Sequence, residues 1–314
     1  MSTTAQAHPN IALVKYWGKQ DAPGNLPAAP SLSITLDTLQ TTTCVTTTTG
    51  SDTLFLDNKE SNDQKIAHCL ATLRATYDIP HLEVRTENNF PTAAGLASSA
   101  SGFAALMTAI DRECGLELGS DTLSDLARRA SGSAARSIFG GYVALEGPAW
   151  TARSILAAAD WPLRVVVAIT SEQKKVTSSS AGMMLTKDTS PYYSAWVSST
   201  HTDFQQGLRC VAEQNFAELA ALAEFSCLKM HGLMLSTNPG LIYWNAATVG
   251  CIQALRELRH TGVPVFFTID AGPQVKAICL PEAESEVRQT LEAITGVQRV
   301  LAAGLGAGAR VIDS

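Results

Sequence analysis

The chain has 314 residues, of which 46% are hydrophobic and 17% charged, and a formal net charge of −6. This composition is typical of a folded globular protein and excludes disordered, collagen-like and coiled-coil classes. An acidic balance also disfavours a general nucleic-acid or anionic-membrane surface, so any anionic ligand must be bound by a few local cations. The length allows two domains or two fused lobes.

The cysteine pattern indicates a reducing compartment. Seven cysteines are scattered without CxxC spacing, and the six histidines form no metal pair at helical spacing. The N-terminal residues lack the basic and apolar regions of a secretory signal, and no apolar run approaches the ~20 residues needed to span a bilayer. We therefore expect a cytoplasmic protein without a membrane or nucleic-acid partner.

Hydrophobic periodicity and turn residues predict a different mixture of strands and helices in the two parts of the chain. Strands with helices come first, and helices with strands follow, which predicts an α+β fold of two lobes with a seam near 170–190. We predict strands at 41–48 and 53–56, a helix at 66–77, a strand at 81–86, helices from 103 and at 121–130 with Ser120 or Asp121 as N-cap, a strand at 164–170, mostly helices over 190–258, strands at 264–270 and 275–280, a helix at 282–294 and a strand at 297–301.

The segment 91–102 is a candidate phosphate loop. It is poor in charge, rich in Gly, Ala and Ser, and precedes a helical pattern. Such a loop directs free backbone N–H groups and the positive end of a helix dipole toward an anion. No Lys-Ser/Thr pair follows its glycine, so it is not a Walker A loop. Tight helix packing is the alternative interpretation, and the segment alone does not decide between them.

A second candidate is 131–136, where two serines, a glycine and Arg136 fall within six positions. An arginine can bind a phosphate or carboxylate through two parallel hydrogen bonds. The alternative is a helix-to-turn junction that carries a surface arginine.

A third candidate is 15–19, where Lys15 and Lys19 bracket two aromatic residues and a glycine in a region with few cations. These lysines could neutralise an anionic substrate. The alternative is a pair of lysines flanking the end of an amphipathic strand.

The fourth candidate is Asp270, a carboxylate at the end of an apolar strand and just before a turn. Burying such a group is costly unless it has a partner. At a cleft it could orient or deprotonate a hydroxyl, and the alternative is a turn-capping role.

Together these segments resemble the signature blocks of the diphosphomevalonate decarboxylases, in the GHMP kinase superfamily. The blocks are 10–19 with 25–27 and 31–36, then 88–102, 127–141 and 268–272, in the family's order. The resemblance implies a two-lobed α+β GHMP-kinase fold, with an N-terminal lobe over 1–175 and a C-terminal lobe over 176–314. ATP and Mg²⁺ would bind in the cleft between the lobes, and a homodimer is expected from the family.

The activity implied by this resemblance is the ATP-dependent decarboxylation of (R)-5-diphosphomevalonate in the mevalonate pathway. Phosphorylation of the tertiary hydroxyl gives a 3-phosphorylated intermediate, which then yields isopentenyl diphosphate, phosphate and CO2. Met184 stands where some members carry an arginine that reaches the substrate phosphate. A phosphomevalonate decarboxylase, a mevalonate-type kinase and a nucleotide-binding module without activity therefore stay open as alternatives.

The resemblance also implies a role for individual residues. Asp270 would face the hydroxyl, Arg136 would hold the substrate carboxylate or phosphates, Lys15 would neutralise charge, and Ser98 would lie near Mg²⁺. The expected substrate-binding residues are Tyr16, Trp17, Gly18, Lys19, Ser131, Gly132, Ser133, Ala134, Ala135, Ser179 and Ser180. The expected ATP-binding residues are Lys65, Ala93, Ala94, Gly95, Leu96, Ala97, Ser98, Ser99 and Ser101.

Overall fold

The structure is a computed structural model that describes residues 2–20, 24–90, 97–173 and 175–313. The first half of the chain is an alternation of strands and helices. Its strands are β1 (Ser2–Ala7), β2 (Asn10–Val14), β3 (Ser31–Thr35), β4 (Thr41–Thr48), β5 (Thr53–Leu56), β6 (Lys59–Glu60), β7 (His81–Asn88), β8 (Tyr142–Glu146) and β9 (Thr151–Leu156). Its helices are α1 (Gln64–Arg74), α2 (Ser98–Glu113), α3 (Ser120–Ala130) and the short α4 (Ala134–Ser137).

The second half begins with a strand, continues through four helices and returns to strands. Its strands are β10 (Arg164–Ile169), β11 (Val265–Thr268), β12 (Val275–Cys279), β13 (Arg299–Ala303) and β14 (Arg310–Asp313). Its helices are α5 (Ser179–Thr189), α6 (Tyr193–Ala212), α7 (Phe216–Leu235), α8 (Ala246–His260), a 3-10 turn (Pro281–Ala283) and α9 (Glu284–Glu292). Within the described ranges, no helix is both long enough and apolar enough to cross a membrane.

The strands form three sheets. One has the order β14-β1-β4-β7-β5-β6, the second β2-β3-β8-β9 and the third β11-β12-β10-β13. In β4, alternate residues Thr41, Thr43 and Val45 are buried, because one face of the first sheet is covered by α2. The predicted strands at 41–48 and 53–56 are confirmed at both bounds.

The third sheet is buried on both faces, which explains the continuous apolar run of β10. Val165 and Val167 pack into a core shared with β2, β3 and β8, so this core joins the two halves of the chain. Val166 and Ala168 face the opposite way, into a core formed with α8 and α9. Because β10 precedes position 175 but pairs with β12 and β13, the lobe division at 175/176 stays a prediction.

The C-terminal segment returns to the first half of the chain. Strand β14 pairs antiparallel with β1 at the edge of the first sheet. Before it, the chain passes so close to β3 that a Cβ on Gly306 would lie 2.1 Å from the Leu36 carbonyl oxygen. The glycines of the tail therefore permit a close backbone approach.

One expected helix start differs from the structure. Helix α3 begins at Ser120, but its N-cap is Gly119, and no side chain caps it. The predicted capping role of Ser120 or Asp121 is therefore wrong, because both residues already lie in the first turn.

Candidate active site

A cleft of about 990 Å³ lies between the two halves of the chain. Its walls come from the end of β2, the first turns of α2 and α5, the α3–α4 connection and the segment after β11. All four candidate segments of the sequence contribute to these walls within the described residues. The fold therefore brings together groups that are far apart along the chain.

The floor of the cleft is built around Asp270. This residue follows β11, and Lys15 follows β2. Lys15 Nζ lies 2.9 Å from Asp270 Oδ1, and Lys276 Nζ lies 3.1 Å from Asp270 Oδ2. Each lysine side chain is 1% exposed, whereas that of Asp270 is 28% exposed, so the carboxylate is the member of this trio that reaches the cleft most openly.

Asp270 is held in its ionised form. Burial alone would raise the pKa of this carboxyl, but the ammonium groups of Lys15 and Lys276 outweigh it and hold the pKa below its usual range. Burial lowers the pKa of Lys276, against the opposing effect of Asp270. An ionised carboxylate can accept a hydrogen bond from a substrate hydroxyl, but it is a weak proton acceptor.

Arg136 brings a second buried charge to the cleft from α4. Its Nη1 donates to Ser31 Oγ at 2.5 Å, its Nε to Ser33 Oγ at 3.1 Å, and its Nη2 to Asn10 Oδ1 at 3.2 Å. None of the carboxylates in the described ranges pairs with it at ion-pair distance. Burial lowers the pKa of Arg136 to about 10, partly offset by Tyr16 and Asp270, so it stays charged at neutral pH. This guanidinium is oriented by neutral oxygens, and its charge is available to an anion.

Tyr16 lies beside this guanidinium, which stands 5.8 Å from the centre of its ring. Its hydroxyl is buried and has no hydrogen-bond partner among the described residues. Burial raises the pKa of Tyr16 to about 12, so it stays a neutral donor. A Cβ on Gly132 would lie 2.2 Å from this hydroxyl, and only glycine therefore leaves room for it.

The other residues of segment 15–19 have mixed surroundings. Lys19 lines the cleft, its Nζ donates to Asn25 Oδ1 at 2.7 Å, and burial lowers its pKa. Trp17 touches the cleft but is otherwise a core residue, with its Nε1 donating to Thr186 Oγ1 at 3.2 Å. Gly18 does not line the cleft, and a Cβ there would meet the Tyr193 hydroxyl.

The start of α2 is suited to binding phosphate. Its N-cap, Ala97, has φ 57° and makes no side-chain cap hydrogen bond. The backbone N–H groups at the start of a helix can bind an anion. Ser98 and Ser99 line the cleft, and Ser131 Oγ lies 3.5 Å from Ser99 Oγ. The predicted contacts of Ala93, Ala94, Gly95 and Leu96 lie outside the described residues.

Ser101 is turned away from the cleft. Its hydroxyl is fully buried and lies 2.6 Å from Thr41 Oγ1. The resemblance assigned ATP binding to the backbone of this segment, so the role of Ser101 stays a prediction, and its side chain is engaged in the core. Ala134 and Ala135 are also buried in hydrophobic cores and do not line the cleft.

The start of α5 forms the opposite wall. Ser178 caps the helix by accepting a hydrogen bond from the Ala181 N–H at 3.2 Å, and Ser179 and Ser180 line the cleft beside it. Lys175 Nζ donates to Ser179 Oγ at 3.3 Å. Lys175 lines the cleft, and burial and then the charge of Lys276 lower its pKa.

The far end of the cleft is lined by α1, α2 and α3. Lys65, predicted to contact the nucleotide, lies there in the first turn of α1. His68, Cys69 and Thr72 follow on the same helix, and Met107 comes from α2. Among the described residues, no three His, Cys, Asp or Glu side chains form a group that could hold a metal ion.

Sequence reasoning missed three charged or polar groups of the site. Lys276 carried a visible signal, because a lysine within an apolar strand must find a partner. Lys175 and Asn10 carried no local signal, since nothing in their neighbourhood along the chain indicates which groups they face. Only the packing of the two halves brings them to the cleft.

The chain matches two family models in succession. Residues 7–155 match the diphosphomevalonate decarboxylase-like N-terminal domain, and residues 165–304 match the mevalonate 5-diphosphate decarboxylase C-terminal domain. The diphosphomevalonate decarboxylase of Candida albicans is 37% identical over 87% of this chain and 82% of its own length. The human diphosphomevalonate decarboxylase is 34% identical over 91% of this chain and 78% of its own.

Solved structures share the whole fold. The mevalonate diphosphate decarboxylase of Enterococcus faecalis superposes with a TM-score of 0.90 at 34% identity, covering 100% of this chain and 99% of that one. That of Staphylococcus aureus has a TM-score of 0.92 at 30% identity, covering 99% and 98%. A further structure, a complex with MVAPP, AMPPCP and magnesium, has a TM-score of 0.92 at 35% identity, covering 100% and 99%.

Proposed function

Because this chain belongs to the diphosphomevalonate decarboxylase family, we propose that it catalyses the ATP-dependent decarboxylation of (R)-5-diphosphomevalonate. The products are isopentenyl diphosphate, ADP, phosphate and CO2, in the mevalonate pathway of isoprenoid biosynthesis. The observation that carries this proposal is the floor of the cleft, where an ionised Asp270 lies between Lys15 and Lys276. Arg136 brings to the same cleft a guanidinium that pairs with no carboxylate among the described residues.

The first step transfers the γ-phosphoryl group of ATP to the tertiary hydroxyl of the substrate: the bond from that phosphorus to ADP breaks, a new P–O bond forms, and the hydroxyl proton is released to solvent. A tertiary hydroxyl is a poor leaving group and a phosphate ester is a good one, so this step creates the leaving group. Asp270 accepts the hydrogen bond of that hydroxyl and orients its oxygen. The lysines that hold the pKa of Asp270 low make orientation its main task here, because a strong general base needs a pKa near the working pH.

The second step breaks two bonds. The C–O bond to phosphate breaks with its electron pair on the phosphate, and positive charge develops on the tertiary carbon. The C–C bond to the carboxylate then breaks, and its electron pair forms the double bond while CO2 leaves. The ionised Asp270 stabilises the developing positive charge, since opposite charges attract strongly in a site shielded from water.

Arg136 and its neighbours hold the anionic groups of the substrate. Its oriented guanidinium binds the carboxylate, a charge-assisted contact that contributes about 1.5–3 kcal/mol. The unpartnered hydroxyl of Tyr16, the ammonium of Lys19 and the hydroxyls of Ser131 and Ser133 bind the diphosphate. Several separate donors can hold a diphosphate even though Met184 is not a cation.

ATP and Mg²⁺ are the cofactors proposed for this site. The start of α2, with Ser98 and Ser99, would hold the phosphates of ATP. Mg²⁺ is commonly bound through substrate phosphates and water with few protein ligands, which fits a wall where Ser98 supplies a hydroxyl oxygen. When bound, the ion supplies charge neutralisation at the phosphates.

We further propose a cytoplasmic location and a homodimer. All seven cysteines are free thiols, which fits a reducing compartment. The homodimer rests on the family alone.

The test is turnover of purified protein with ATP and Mg²⁺ on three substrates in parallel: 5-diphosphomevalonate, 5-phosphomevalonate and mevalonate. CO2 and ADP released in equal amounts, with preference for the diphosphate, is the expected result. A strong preference for the monophosphate would overturn the substrate. ADP without CO2 would indicate a kinase, and inactivity on all three would indicate a nucleotide-binding module.

A further inference from the structure

We infer that Lys276 is a positioning residue for this reaction. It forms an ion pair with Oδ2 of Asp270 on the side away from the cleft, so that Oδ1 is presented to the substrate. The inference rests on the proposed function and deepens it. Lys276 does not line the cleft within the described residues, so it acts through Asp270 and does not touch the substrate.

The location of Lys276 is unusual for a lysine. It lies in the middle of β12, pairs with Thr268 of β11, and its side chain is 1% exposed. The other four residues of the strand are apolar, and all are buried. An ammonium in such a place costs free energy unless a charge compensates it, and the partner it faces is Asp270.

The two oxygens of Asp270 have different surroundings. Oδ2 has essentially no accessible surface and no well-aligned hydrogen bond among the described residues, so its compensation is the ion pair with Lys276 at 3.1 Å. The side chain as a whole is 28% exposed, and the oxygen that the cleft can reach is therefore Oδ1. Lys15 contacts this second oxygen at 2.9 Å. One lysine on each oxygen fixes the plane of the carboxylate.

The titratable groups of α7 that face this trio add no charge to it. Burial, and then the charge of Lys15, lowers the pKa of His231 to about 3, so this ring is neutral and does not add to the charge. Burial raises the pKa of Cys227, which stays a neutral thiol. The ionisable groups that interact with Asp270 are Lys15 at the end of β2, Lys276 on β12, Lys175 before α5, Arg136 on α4, and Cys227 and His231 on α7.

The experiment compares Lys276→Met with Lys229→Met, a matched control. Lys229 also forms an ion pair with a buried aspartate, Asp203, and it does not line the cleft. We expect Lys276→Met to lower kcat on the order of 10²-fold, with little change in KM for ATP, because the reacting oxygen is misplaced. Removing the cation raises the pKa of Asp270, so this carboxylate becomes protonated at a higher pH than in the wild type. The acidic limb of the pH dependence of kcat should therefore shift to higher pH.

A double-mutant cycle separates positioning from a general structural role. If Lys276 acts through Asp270, adding Lys276→Met to Asp270→Asn should lower kcat by less than about threefold beyond Asp270→Asn alone. A further loss as large as that of the single variant would overturn the inference. Lys276→Arg keeps the charge and should be more active than Lys276→Met. If Lys276→Met does not fold, the activities of Lys276→Arg and Lys276→Gln are compared in its place.

The wild-type protein distinguishes the two levels of proposal. If wild type releases no CO2 from any mevalonate derivative, the proposed function fails, and the positioning role falls with it. If wild type is active and Lys276→Met matches Lys229→Met in both kcat and pH profile, the positioning role alone is overturned.

Discussion

Lys15 and Asp270 are separated by 255 positions along the chain, yet Lys15 Nζ lies 2.9 Å from Asp270 Oδ1. Each residue follows the end of a buried strand, β2 for the lysine and β11 for the aspartate. The two strands lie in different sheets, and Thr268 of β11 donates to the Ala12 carbonyl of β2 at 3.3 Å. The ion pair is thus placed by the contact between the two sheets.

Asp270→Asn should lower turnover by about 10²–10³-fold while leaving binding of an ATP analogue largely intact. The amide removes the negative charge that orients the hydroxyl and opposes the developing positive charge, whereas the α2 start that would hold phosphates is unchanged. Steady-state CO2 release and calorimetric nucleotide binding measure the two effects. Asp52→Asn, in a surface ion pair with Arg74, is the control, and near-normal turnover of Asp270→Asn would refute the role.

Arg136→Lys should lower kcat/KM for the mevalonate substrate by at least about tenfold, although it keeps the charge. Lysine cannot make the planar set of contacts that Arg136 makes with Ser31, Ser33 and Asn10, so the cation would no longer be oriented. Arg288→Lys on the surface of α9 is the matched control. Equal kcat/KM for the two variants would rule out an oriented contact.

Gly132→Ala should raise KM for the substrate, because its Cβ would displace the Tyr16 hydroxyl from a distance of 2.2 Å. Gly232→Ala is the control, since a Cβ on this residue in the last turn of α7 meets nothing within 4 Å. The double variant Gly132→Ala/Tyr16→Phe removes the clashing oxygen. If steric displacement causes the defect, this double variant should behave like Tyr16→Phe alone, and a larger defect would contradict the explanation.

The buried imidazole of His231 predicts a loss of stability in mild acid. Burial, and then the charge of Lys15, lowers its pKa from 6.5 to about 3, so the unfolded chain binds a proton that the folded chain excludes. Stability is therefore fully present above pH 6.5 and falls below it by up to about 1.4 kcal/mol per pH unit. Urea unfolding between pH 7.5 and about 5 measures this slope.

His231→Phe is the matched variant, because a phenyl ring can keep the tilted ring contact with Trp244, whose ring centre is 4.6 Å away, while it gives up the hydrogen bond that Trp244 Nε1 donates to the imidazole. Its stability should depend less on pH over the same interval. An unchanged slope would assign the acid sensitivity to other groups.

Much of the fold could be predicted from local patterns in the sequence. The threonine- and valine-rich run of β4 and the apolar run of β10 were recognisable because strand residues alternate or are buried on both faces. The strands β1 and β3 were not predicted, since their small and polar residues, such as Ser31 and Ser33, look like a loop. Those serines are buried because they hold the guanidinium of Arg136.

The same contrast runs through the site. The sequence by itself determined the four motif blocks and the chemical types they bring, since a lysine, an arginine or an aspartate keeps its chemistry wherever it lies. Only the tertiary structure decided that Ser101 turns into the core, that Gly132 lies against the Tyr16 hydroxyl, and that Lys276 forms an ion pair with Asp270. The reason is physical: ion pairing and burial depend on distances across the packed halves of the molecule, and no local window of the chain contains both partners.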